Sequence, residues 1–129
     1  MLKSVLSAFA LATTLSACNS STETVSDADK LTIDCLASKT VIEITDGVKK
    51  AILDGKPQGE LRSIQNSAID AGAETLSSKF PRGMHEAYFE FETNRRLTAM
   101  QNALSNRAPN SPDQLTMDET IDMAQTCVF

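Results

Sequence analysis

Ile33, Ala37, Val41, Ile44, Val48 and Ile52 recur at steps of four and three, and this stripe constrains the chain more than any other feature. A step of 3.6 residues places all six on one face of a helix, which must be covered by other elements. A rival reading lies inside the same stretch. Thr40-Val41-Ile42-Glu43-Ile44-Thr45 is rich in β-branched residues and precedes Asp46-Gly47, a strong hairpin-turn pair, so 40–53 also reads as a hairpin. The stripe runs through Asp46-Gly47 with its period intact, which favours helix up to Asp54-Gly55 and Pro57.

Three further helical segments follow. The stretch 58–80 aligns Leu61, Ile64, Ala68, Ala71 and Leu76, of which the small Ala68 and Ala71 suit close helix approach, and Phe80-Pro81-Arg82-Gly83 breaks it. The stretch 84–106 is apolar on two sides, with Phe89, Leu97, Met100 and Leu104 on one and Met84, Ala87, Tyr88 and Phe91 nearly opposite. Such a helix is either central and covered all round, the preferred reading, or offers a face to a partner. Arg95 and Arg96 follow Glu92 by three and four positions, the spacing of solvated helix-surface pairs. Ser111-Pro112-Asp113-Gln114 and Thr116-Met117-Asp118-Glu119 each carry a helix-start signature ahead of a stripe of Met117, Ile121, Ala124 and Val128. The expected fold is all-α: a small three- or four-helix antiparallel bundle spanning 30–129.

The first 17 residues read as a processing signal, with Lys3 as a basic start and an apolar run over 5–15 too short to cross a bilayer. They end in Leu15-Ser16-Ala17-Cys18, which resembles the lipobox of bacterial lipoproteins. The resemblance covers residues 1–18 and implies cleavage before Cys18, a diacylglyceryl group on its sulfur and an acylated (palmitate-type) amino end. Several acyl chains on one residue anchor a protein stably to a membrane without spanning it. In that family an Asp after the cysteine favours the inner membrane; Asn19 stands here, so the expectation is a periplasm-facing protein of the outer membrane. The mature chain loses Lys3, leaving 11 basic residues against 17 acidic ones, a net charge of −6. Residues 18–29 then read as the lipidated cysteine and a polar, flexible tether, with the lipid as the expected sole membrane contact.

With Cys18 assigned to lipid, Cys35 and Cys127 remain, and an exported chain meets an oxidising periplasm. An intrachain disulfide is the expected pairing; an intermolecular bridge or two free thiols are the alternatives.

Residues able to do chemistry are few. His85-Glu86-Ala87-Tyr88-Phe89 resembles the start of a zinc-protease helix, yet position 89 is Phe and His85 is the only histidine, so two imidazoles cannot converge on zinc. Glu86 and Glu90 share a helix face and read as solvated, while Asp118, Glu119 and Asp122 complement a helix N-terminus. No phosphate-loop or nucleophile-elbow pattern occurs around the five glycines, and an acidic chain without a basic cluster is a poor ligand for nucleic acid. The expectation is a non-catalytic module without metal or cofactor, binding another envelope protein through Met84, Tyr88 and Phe91, of accessory, immunity or assembly type. A periplasmic stress chaperone is the alternative, and an enzyme using Glu86, Glu90 and His85 a second one.

Overall fold

The computed structural model describes residues 24–81, 83–106 and 108–129; the signal segment 1–17 and Cys18 lie outside them. The chain folds as a four-helix antiparallel bundle with one intrachain disulfide, and no strand occurs among the described residues. Helix α1 spans Asp27–Leu53, α2 Gln58–Ser77, α3 Met84–Asn106 and α4 Pro112–Thr126. None of them is long and apolar enough to cross a membrane.

Helix α1 is continuous through Asp46-Gly47, so the hairpin reading of 40–53 falls away. A Cβ at Gly47 would sit 3.1 Å from Ile64 Cγ2, so the glycine serves the approach of α2 rather than a turn. The turn comes at Gly55, whose φ of 75° ends the helix. At its other end α1 begins earlier than the composition suggests. The Ser26 hydroxyl accepts the Asp29 N–H at 3.1 Å, and Val25 is only 6% exposed within the core. The tether expected to run to Asp29 therefore ends before Val25: one apolar residue followed by a capping serine is enough to start the fold. Ser111 likewise caps α4, accepting the Gln114 N–H at 3.1 Å, which selects the first of its two possible starts.

Helices α1 and α3 each pack against all three other helices. One core cluster joins Val25, Ile33, Leu36, Ala37, Leu76 and Phe89, and a second joins Val41, Ile44, Ala68, Leu97 and Met100. Half-buried Ile69 of α2 touches both. Some stripe residues stand outside: Ile52 and Leu104 are exposed at the far ends of their helices, and Ala71 faces solvent while Gly72 takes the buried position. A Cβ at Gly72 would lie 2.4 Å from Phe89 Cζ and 3.1 Å from Thr40 Oγ1, so α1, α2 and α3 meet there. Cys35 on α1 and Cys127 after α4 form the disulfide, with Cα atoms 5.9 Å apart. Nearby, the Lys39 ammonium donates to the Ala124 carbonyl at 3.0 Å, serving an end of α4 that has no basic residue in its last turn.

Candidate functional site

The two sides of α3 have different fates. Phe89, Thr93, Arg96, Leu97 and Met100 are buried, whereas Met84 is 44% and Phe91 62% exposed. Tyr88 is half-buried between them and Ala87 is exposed. The preferred expectation of a helix covered all round is corrected: α3 packs against the three other described helices, and among the described residues none of them covers Met84 and Phe91. Met84, Tyr88 and Phe91 are brought together around a surface hollow of about 400 Å³, closed on its other side by Thr24, Val25 and Lys30. Phe91 also borders a second hollow of about 590 Å³, formed with Arg95, Thr98 and the start of α4 at Pro112. It is thus a ridge between two depressions.

Beneath this face lies an ionic cluster. Arg96 is 1% exposed, and its Nη1 donates to Thr120 Oγ1 at 3.1 Å. Its Nη2 lies 4.0 Å from Asp34 Oδ2 and 3.6 Å from Glu119 Oε1, tying α3 to α1 and α4. Its Nε is 3.4 Å from Glu92 Oε1, close enough for attraction between charges, although that N–H has no hydrogen-bond acceptor. Glu92 instead accepts a fork from Arg95, Nε to Oε2 at 3.0 Å and Nη2 to Oε1 at 2.8 Å. Arg95 pairs with Glu92 at the expected spacing, but Glu92 is buried and only Arg95 reaches solvent, while Arg96 is not solvated at all. The signal lay in spacing: Phe89, Thr93, Arg96 and Met100 share one face, and the charge conceals that Arg96 belongs to it.

The Tyr88 hydroxyl donates to Asp34 Oδ1 at 2.8 Å, so the exposed face is pinned to the cluster. Burial pushes the Asp34 carboxyl above its usual value, against the pull of the Tyr88 hydrogen bond and the Arg96 charge. Burial also raises the Tyr88 phenol, with the neighbouring Asp34 adding to it. Glu92 is pushed up by burial too, but the hydrogen bonds and charges of Arg95 and Arg96 outweigh this and hold it below the ordinary range. The bond to Glu92 raises Arg95 in return. Lys30 Nζ lies 5.8 Å from the Tyr88 ring centroid, within cation–π range.

His85 does not join an acid–base group with Glu86 and Glu90. Its Nε2 is 3.1 Å from Asp29 Oδ2, and its ring stacks on Phe80 with centroids 4.9 Å apart. Glu90 is exposed, Glu86 is half-buried, and among the described residues no three His, Cys, Asp or Glu side chains are grouped to hold a metal ion. Asp34, Lys30 and Val25 are the site residues that sequence reasoning missed; Val25 was hidden in the polar stretch, and Asp34 carries no local signature. No protein-family model, curated protein or solved structure matches the chain, so these side chains are what its function can be argued from.

Proposed function

We propose that this protein is a lipid-anchored, periplasm-facing interaction module that binds another envelope protein through Met84, Tyr88 and Phe91 of α3, without catalysis, metal or cofactor. The observation that carries this reading is the exposure of Met84 and Phe91 beside a Tyr88 whose hydroxyl is held by Asp34. Tyr88, already held by its hydrogen bond, loses little conformational freedom on binding, and the exposed apolar area of Met84 and Phe91 beside it is available for burial by a partner. Lys30 and Arg95 at the edges supply a polar rim. The anchor itself rests on Leu15-Ser16-Ala17-Cys18, and Asn19 favours the outer membrane.

The test is co-purification from the native cell with Met84→Ala and Phe91→Ala combined. The expected result is loss of the partner with thermal unfolding unchanged within a few degrees. Retention of the partner overturns the assignment of the surface, and an unmodified Cys18 in the mass spectrum of the mature protein overturns the anchor.

A second reading, an acid-stress chaperone, draws support from the three carboxylates gathered on buried Arg96, because acid removes their charge where α1, α3 and α4 meet. Failure to suppress aggregation of an unfolded client at low pH excludes it. For the enzyme reading, the contacts of His85 with Asp29 and Phe80 offer no support.

A further inference from the structure

The position of the α3 face relative to the chain's point of emergence narrows the partner class. Thr24 and Val25, the first described residues, form one wall of the hollow that Met84, Tyr88 and Phe91 border. Resting on the lipoprotein reading above, the anchor at Cys18 lies six residues before Thr24. Six residues reach at most about 21 Å when extended, whatever conformation they adopt. An anchored molecule therefore holds Thr24, one wall of this hollow, within about 20 Å of the bilayer surface whichever way the body tilts. The opposite end of α1, a 27-residue helix, lies about 40 Å further along.

The charge of this face also differs from that of the whole. Lys30 and Arg95 are the cations among the described side chains lining the two hollows, and Asp113 is the one carboxylate, in a mature chain of net charge −6. Arg95 is already neutralised by its fork to Glu92, so the surface next to the tether is apolar and close to neutral, with Lys30 as its cation and Asp113 as its carboxylate, within a strongly acidic chain. Its relief is concave on both sides of Phe91, which suits side chains of a partner entering either depression rather than insertion into lipid. We infer that the partner is a membrane-embedded protein of the envelope, and that it presents to α3 an apolar segment with uncharged or acidic flanks at the bilayer surface. Anchoring both molecules in one membrane raises their effective concentration, so a weak contact suffices.

Photocrosslinking in the native cell tests this, using the full-length protein with p-benzoylphenylalanine at position 91 and, as control, at position 53, where Leu53 is 81% exposed at the far end of α1. The same substitutions are made in a released form, Cys18→Ser behind an ordinary secretory signal. The expected result is an adduct from position 91, absent from position 53, to a protein that resists alkaline extraction from the membrane. Its yield should fall at least tenfold in the released form. A soluble adduct, a phospholipid adduct, no adduct, or an undiminished yield on release each overturns the inference. Mass spectrometry of the mature N-terminus separates the causes. Those outcomes with acylated Cys18 sink this inference alone, whereas an unmodified Cys18 sinks it together with the anchored reading.

Discussion

The Tyr88 hydroxyl and the Asp34 carboxylate, 2.8 Å apart, join the exposed face of α3 to the buried charges between α1 and α4. A surface aromatic ring is thereby held by the same network that holds three helices together. Tyr88→Phe keeps the ring and removes the only donor of the phenol. We expect a loss of about 1–2 kcal/mol, because Asp34 stays half-buried with one oxygen less satisfied. In a domain of this size that corresponds to a fall of roughly 5–10 °C in Tm, measurable by circular dichroism.

Arg96 and Arg95 should respond differently to the same change. Arg96→Met leaves Asp34, Glu92 and Glu119 facing one another without their shared cation. Urea unfolding should show a loss of about 3–5 kcal/mol, the range for a buried pair broken on one side. Arg95 is 41% exposed but donates both hydrogen bonds of buried Glu92, so Arg95→Met should cost about 1–2 kcal/mol, less than Arg96→Met because Arg96 stays beside the carboxylate. Equal losses would mean that Arg96 is solvated after all.

The two carboxyls of the cluster predict opposite pH dependences. Asp34 is raised above its usual 3.8 by burial, so its contribution to stability is present in acid and lost as the pH climbs through its folded-state value. Glu92 sits below its usual 4.5: burial raises it, but Arg95 and Arg96 together lower it more. Its contribution is present above 4.5 and lost as the pH falls through its folded-state value. Relative to the parent, Asp34→Asn should therefore gain stability between about pH 3 and pH 7, and Glu92→Gln should lose it. Parallel curves in urea titrations would refute the assignment.

Gly72→Ala tests the meeting point of three helices. The new methyl would lie 2.4 Å from Phe89 Cζ, and Phe89 is fully buried and cannot swing away. Overpacking of about 1–3 kcal/mol should exceed the gain of up to about 1 kcal/mol in helix propensity. At Gly59 nothing lies within 4 Å, so Gly59→Ala should be neutral or stabilising. Thermal unfolding of the two variants reads the difference directly.

Removing the disulfide should weaken the bundle without changing its helices. Cys35 and Cys127 enclose a sequence separation of 92 residues, for which chain entropy gives about 4–5 kcal/mol. Cys35→Ala with Cys127→Ala should lower the urea midpoint accordingly while keeping the far-ultraviolet spectrum. Because Cys35 is 3% exposed whereas Cys127 is only half-buried, reduction of the parent should proceed by attack on the Cys127 sulfur and accelerate when denaturant opens the fold.

The helices and their breaks are local properties, and residues within a few positions of one another are enough to determine them. The stripe from Ile33 to Val48, the Ser111 cap and the breaks at Gly55 and Pro81 all belong to this class. Even the pairing of Cys35 with Cys127 was the expectation, from parity once Cys18 is set apart for lipid and from the oxidising compartment that an export signal would imply. What the local pattern left open was decided by partners distant along the chain. Asp46-Gly47 is a turn pair until Ile64 packs on it, and Val25 is tether until α1 and the first core cluster enclose it. Met84 and Phe91 are core or surface depending on whether another helix arrives, and none does among the described residues. Arg96 is the clearest case. Its own spacing put it on the buried face, but a guanidinium can be buried only where acceptors surround it. Those partners, the Thr120 hydroxyl that accepts its hydrogen bond and the Asp34 and Glu119 carboxylates that balance its charge, come together only when α1, α3 and α4 pack.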